Sequence, residues 1–317
     1  MDTVASIDMS YLVSNILHSI EGSERWKSIE PVVAGWSDEA KFHIFTKTDD
    51  ELLLRVGDAK RKHHNALIFA ALESASVRDM HTPKPLAQGE TTDGTRSYLL
   101  LSWVPGIEMG EVLPSLPMRQ QYELGRKAGT LLRDIHSLKM RARPKCHVDS
   151  WYERCEKKTQ NIVARYRGQD MKFELVEACI DFTERNLTLA KGRAQTFQHG
   201  DFHVGNLVLQ PNGEVAAIDF CRCSFGDPWE DFHRAMWCAE VSPAFASGKV
   251  DSYFNDNVPD GFFPLLALYT AITQIGYVTW AQRFASDEVE TMLRQAKNID
   301  AWYDGFTKTT PSWYASF

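Results

Sequence analysis

Over the first hundred residues the apolar positions come in short runs broken by turn chemistry. Ser28–Ala34, Lys41–Thr46 and Leu52–Val56 are separated by Gly35-Trp36-Ser37-Asp38 and Thr48-Asp49-Asp50, which predicts strands joined by tight turns. A helical segment is expected from about Ala59 to Ala75, then a buried strand over Tyr98–Trp103, ended by Pro105-Gly106. From Tyr122 the period changes: Leu124, Ala128, Leu131, Leu132, Ile135 and Leu138 recur at helical spacing. Further helices are expected over Trp151–Tyr166 and Lys172–Leu189. Two strands, Leu207–Gln210 and Val215–Phe220, interrupt them, joined by the hairpin-type turn Pro211-Asn212-Gly213. After Asp227 the chain reads as helical again, chiefly over Pro264–Phe284 and Asp287–Phe306. The pattern is α+β: a β-rich N-terminal lobe over residues 1–104 and a mainly helical C-terminal lobe over residues 105–317.

Composition adds little to this until charge is considered. The chain has 317 residues, 44% hydrophobic and 24% charged, enough for two domains of an ordinary soluble protein. No apolar run reaches the roughly 18 residues of a membrane helix, and the first twenty residues lack the basic and apolar regions of a signal peptide. No membrane partner and a cytoplasmic location are the expectation. The six cysteines form no Cys-x-x-Cys pair, which fits reduced thiols. Cys221 and Cys223 would share a strand face, but no second pair completes a zinc set. A net charge of −7 argues against nucleic acid as a partner, since phosphate backbones demand basic surfaces. Between Asp227 and Asp304 the chain carries 12 acidic and 5 basic residues. That excess is either an ordinary solvated surface or a suitable lining for a cationic ligand.

The densest chemistry lies in Gln198-His199-Gly200-Asp201-Phe202-His203-Val204-Gly205-Asn206, followed by Ile218-Asp219-Phe220 and Gly226-Asp227-Pro228. Phosphoryl transfer requires a carboxylate, an amide shortly after it, and a second carboxylate returned to the same place by a hairpin. The first takes or orients the attacking hydroxyl, while the amide oxygen and the second carboxylate hold magnesium against the phosphates. Turn and capping chemistry is the alternative for each residue taken alone, because Asp and Asn favour such positions.

These motifs, in this order and behind a β-rich lobe, resemble the aminoglycoside phosphotransferase family, relatives of the protein kinases. The resemblance implies a bilobal protein-kinase-like fold and transfer of the γ-phosphate of ATP or GTP, with Mg2+, to a hydroxyl of a small molecule. In this light Asp201 looks like the catalytic base, and Asn206 and Asp219 like the metal ligands. His199 braces the loop and Asp227 holds it through backbone hydrogen bonds. His203 lines the acceptor entrance or is an exposed loop residue. Glu230 and Asp231 contact the acceptor or simply start a helix, where acids complement the positive end. Ser37 falls where the family covers the phosphates, and Ser102 and Val104 fall where adenine would meet backbone. Arg55 replaces the usual phosphate-gripping lysine, a change that retains charge and adds a planar fork. The helix that normally answers it with glutamate offers Asn65, so an Arg55–Asn65 hydrogen bond is expected instead. An aminoglycoside is the expected acceptor, with a macrolide or metabolite kinase and a non-catalytic nucleotide-binding protein as rivals. Oligomeric state is not legible.

Overall fold

A computed structural model gives the architecture and describes residues 15–33, 39–140, 150–170, 172–284, 288–315 and 317. Three strands open it: β1 (Trp26–Pro31), β2 (Ala40–Thr46) and β3 (Glu51–Asp58). The β2–β3 turn closes where Asp50 N–H donates to Thr46 Oγ1 at 2.9 Å, with Asp49 in the left-handed region at φ 60°. Helix α1 (Lys62–Ser76) follows a short helical turn that Asp58 caps by accepting Lys60 N–H at 2.8 Å. Strands β4 (Pro85–Glu90) and β5 (Arg96–Ser102) complete an antiparallel sheet in the order β1-β2-β3-β5-β4. Strand β4 has no counterpart in the sequence reading. Its Pro85-Leu86-Ala87-Gln88-Gly89-Glu90 is poor in strand formers, and only an edge position tolerates such a proline.

The sheet's pleat sorts its side chains. Phe42, Ile44, Leu54, Val56, Tyr98 and Leu100 pack on one face beneath Ile16 and Ile20. On the opposite face Leu99 and Leu101 meet Ile68 and Leu72 of α1. Lys41, Leu53 and Arg55 belong to that second set and line a cleft.

Beyond the sheet come β6 (Ile107–Glu108), α2 (Met118–His136), α3 (Trp151–Arg167) and α4 (Glu174–Asn186). Ser150 and Glu153 form a reciprocal capping box at the start of α3. Next are β7 (Thr196–Gln198), β8 (Leu207–Leu209), β9 (Val215–Ala217) and β10 (Ser224–Gly226), then a 3-10 segment over Pro228–Arg234. Helices α5 (Ala235–Val241), α6 (Pro243–Tyr253), α7 (Phe262–Phe284) and α8 (Val289–Tyr303) end the fold. The β8–β9 hairpin matches the sequence reading in place but stops short of Phe220, because Asp219 turns into the left-handed region at φ 59° and breaks the strand. The unpredicted pair β7–β10 holds the two motif-bearing segments together, with Gln198 opposite Ser224.

Close backbone approach sets α2 against α6. A methyl group on Gly125 would come within 2.1 Å of the Phe245 carbonyl, and one on Gly129 within 2.1 Å of that of Lys249. Helix α7 is longer and more apolar than the sequence reading allowed. Phe262–Ala281 has the length and composition to cross a membrane, yet 72% of its most apolar stretch is buried inside the protein. Its Leu265, Leu268, Ile272 and Ile275 belong to the same core as Val163, Ile180 and Ile299, so it is the central core helix of this half.

Candidate active site

A cleft of about 510 Å³ lies between the sheet and the β7–β10 region, and Arg55, Asp201, Asn206 and Asp219 all line it. The loop after β7 carries the first of these acids. Gly200 sits at φ 82°, and an added Cβ would lie 2.1 Å from the Arg222 carbonyl, so only glycine fits. The N–H groups of His199 and Gly200 donate to the buried Asp231 carboxylate at 2.8 and 2.7 Å. The His199 ring accepts Asp201 N–H at Nδ1 (3.2 Å) and sets Nε2 3.0 Å from the Ile218 carbonyl. It therefore links the Asp201 loop to the strand end that presents Asp219. Burial pushes this histidine below its ordinary pKa, so the ring is neutral and Nε2 donates.

The Asp201 carboxylate stands among cations. Arg234 Nε is 2.8 Å from Oδ1, close enough for an ion pair but not aligned as a hydrogen bond. Arg222 Nε is 3.4 Å from Oδ2. His203 accepts Gly205 N–H at Nδ1 (3.1 Å), and its Nε2 lies 3.3 Å from Asn206 Nδ2 and 3.5 Å from Asp201 Oδ1. Burial, reinforced by Arg234, depresses His203 to about 4. Asn206 Nδ2 donates to the Asp201 carbonyl at 2.9 Å, leaving Oδ1 as the amide's acceptor.

Asp219 answers from the other side. Its Oδ1 accepts from Arg55 Nη1 at 2.7 Å, and its Oδ2 lies 3.6 Å from Lys41 Nζ. Burial by itself would raise this carboxyl, but Arg55 and Lys41 hold it well below the usual carboxylate range. Arg55 is only 3% exposed and also donates through Nη2 to the buried Glu39. Burial opposes its charge, while Asp219 and Glu39 together carry its pKa above the ordinary arginine value. Glu39 also pairs with Arg61 at 3.1 Å.

Several expectations need correction. Asn65 does not reach Arg55: its Nδ2 donates to Ser97 Oγ at 3.3 Å. The carboxylate that partners the arginine is Glu39, just before β2, two residues from Lys41 on the same side of the pleat. A search confined to the helix misses it, although Lys41 pairs directly with Arg55 across β2 and β3. Asp231 cannot touch an acceptor, because it is 1% exposed and its oxygens serve His136 and the loop backbone. Glu230 is engaged by Lys158 at 2.9 Å and Gln198 at 3.2 Å and does not line the cleft. Asp227 is fully buried and binds Arg193, Tyr269 and Trp229 N–H, while its own carbonyl accepts from Gln198. It thus anchors the β7–β10 region by side chain as well as backbone. Ser102 and Val104 line the cleft, as does His203. Ser37 lies outside the described residues. Sequence reasoning passed over Arg222 and Arg234, and Arg234's spacing of three from Asp231 was the available signal.

Asn206 and Asp219 together suit magnesium by their chemistry, since both offer hard oxygen and leave further positions for phosphate and water. Among the described residues no cluster of three or more His, Cys, Asp or Glu forms a self-sufficient metal site.

Among curated sequences none matches the chain. Solved structures do, at low identity. The GDP complex of wild-type aminoglycoside 2'-phosphotransferase-IIIa superposes with a TM-score of 0.67 at 13% identity, covering 93% of this chain and 99% of that one. A choline/ethanolamine kinase family protein from Mesorhizobium loti gives 0.67 at 13%, covering 92% and 95%. A thermostable mutant of aminoglycoside phosphotransferase APH(4)-Ia, in a ternary complex with ADP and hygromycin B, gives 0.62 at 14%, covering 86% and 93%. These likenesses establish the kinase-like fold. The family model for the phosphotransferase enzyme family (APH) matches residues 28–262, most of the sheet and the whole of the acid-bearing cleft, and the chain belongs to that family.

Proposed function

We propose that this phosphotransferase moves the γ-phosphate of ATP or GTP to a hydroxyl of a small molecule, with Asp201 as base and Asn206 and Asp219 as the magnesium ligands. The observation that carries the reading is the convergence of these three side chains on one cleft between sheet and helices. Asp201 accepts the hydroxyl proton as the oxygen attacks. Arg234 and Arg222 flank its carboxylate and hold it in place until then. Asn206 ties the loop to itself through the Asp201 carbonyl, so base and metal ligand move as one unit. Leu53, Leu101 and Val104 supply apolar cleft walls for a nucleotide base, with backbone at Ser102 and Val104 to read it. Bound magnesium would neutralise phosphate charge in the transition state, and the rest is positioning and fixed charge.

An aminoglycoside is the acceptor class that family membership favours. The charge argument for a polycation has lost support, however, because Asp231 is buried, Glu230 faces Lys158, and Glu240 accepts from Asn298 at 2.7 Å. A second reading, an alcohol carrying an acidic group, is favoured by Arg222 and Arg234 beside the base. Arg222→Glu separates the two, because Arg222 is 58% exposed and sets the charge at the mouth. Michaelis constants for aminoglycosides should fall in this variant if the acceptor is cationic. Those for carboxylate- or phosphate-bearing alcohols should rise if it is anionic, by several-fold at low salt.

A further inference from the structure

We propose that Lys249 on α6 is a positioning residue for phosphoryl transfer: its buried ammonium, set against the rings of Phe202 and Phe232, fixes the loop that carries Asp201. The proposal rests on the phosphotransferase reading and adds to it a residue outside the cleft. Lys249 is 0% exposed, and lysine is almost never fully buried unless it is paired. Among the described residues no carboxylate pairs with it. Its Nζ donates to Cys238 Sγ at 3.5 Å, and sulfur is a weak acceptor. The same ammonium lies 5.7 Å from the Phe202 ring centre and 5.5 Å from that of Phe232, both within reach of a cation–π attraction. Burying an ammonium without an anion costs stability, and a thiol and two ring faces offset only part of it. A methionine would fill the same space without that penalty, so the charge has a use other than holding the fold.

The two rings show what that use is. Phe202 directly follows Asp201, and Phe232 directly follows Asp231, the buried acid that accepts the N–H groups of His199 and Gly200. Phe202 also meets the His199 ring edge to face, with centres 5.5 Å apart. Asp201 is thus braced on both sides in sequence, by backbone N–H groups on Asp231 before it and by a ring on Lys249 after it. A cation attracts the face of a ring and so sets its tilt, which an apolar neighbour does not do. Lys249 can act as a fixed point because its own backbone is pinned. Its carbonyl packs against Gly129 of α2, where an added methyl group would lie only 2.1 Å away.

Three measurements on the parent, Lys249→Met, Phe202→Leu and the double variant test this: urea unfolding, calorimetric ATP and GTP binding, and transfer of label from γ-labelled ATP or GTP. The acceptors are a panel of aminoglycosides, macrolides, amino alcohols and acidic alcohols, with magnesium present. Lys249→Met should unfold at the parental urea concentration or a higher one, because a buried charge is removed while its volume stays. Nucleotide affinity and the acceptor KM should stay within about twofold of the parent. Turnover should fall by about tenfold or more, the scale of a small misplacement of a catalytic group. Phe202→Leu should lose turnover similarly, and the double variant should be no slower than the slower single one, since both remove one contact. The proposal is overturned if Lys249→Met keeps parental turnover, or if the two losses multiply in the double variant. It is equally overturned if Lys249→Met is destabilised or fails to fold, for the lysine would then serve the fold. A parent that transfers label to no alcohol would overturn the phosphotransferase reading itself, and the proposal with it.

Discussion

Asp201 holds its carboxylate between two guanidinium groups, Arg234 at 2.8 Å and Arg222 at 3.4 Å, with the neutral His203 ring nearby. If Asp201 is the base, it orients the hydroxyl and accepts its proton as the new bond forms. Asp201→Asn keeps size and hydrogen-bond reach but removes that basicity. Turnover should drop by about 10²-fold or more, while nucleotide affinity stays within a factor of about two, because the amide remains and the donor-side contacts lie elsewhere. Steady-state kinetics beside calorimetric binding would check it. Near-parental turnover in a folded variant would remove Asp201 from the mechanism. Its position was legible in the sequence because His199, Gly200 and Asp201 each have a separate physical duty: a buried ring linking two loops, a left-handed residue pressed against a carbonyl, and an acid in the cleft. The arginines were passed over, because each meets Asp201 only once the fold has brought its segment back beside the loop after β7.

Among the elements, β2 and β3 carry the most consequence per residue. Their register opposes Lys41 to Arg55 and sets Glu39 on the same side, so three charges gather on a sheet face that is otherwise apolar. The apolar pattern announced both strands, and the structure moves their ends by only a few residues. It could not announce which carboxylate meets Arg55, since that depends on strand pairing and not on local sequence. The edge strand β4 was hidden for a related reason: pairing with β5 holds it in place against its own propensity. If Arg55 is chiefly an anchor, Arg55→Met should lower stability by roughly 3 kcal/mol, the scale for breaking a buried ion pair from one side. Adding Glu39→Gln to that variant should recover part of the loss, because the stranded charge is removed with it. Urea unfolding of the parent, both single variants and the double variant measures the coupling. Purely additive losses would show that the two side chains do not act as a pair.

Across the whole molecule, contacts between sequence-distant residues hold the sheet to the helical part at the cleft. Arg55 reaches Asp219, and His64 of α1 lies with Nε2 2.7 Å from the Cys221 carbonyl, so both sides of α1's lobe touch the segment after β9. Buried Asp227 and Asp231 then fasten that segment and the base-bearing loop to the helices through Arg193, Tyr269 and His136. Of the acids that the sequence offered for a cationic acceptor, Asp227 and Asp231 are internal fasteners, while Lys158 engages Glu230 and Asn298 engages Glu240. Composition alone cannot make that division, because it records charge without burial. The proposed division of labour, Asp201 for the acceptor and Asp219 for the metal, is the central claim. It is tested most directly by incubating the parent, Asp201→Asn and Asp219→Ala with γ-labelled ATP or GTP, magnesium, and a panel of aminoglycosides, macrolides, amino alcohols and acidic alcohols. The account predicts label on at least one alcohol with the parent, dependent on magnesium and reduced by about 10²-fold or more in Asp201→Asn, with none detected for Asp219→Ala. Label transfer that persists unchanged in either variant would contradict it.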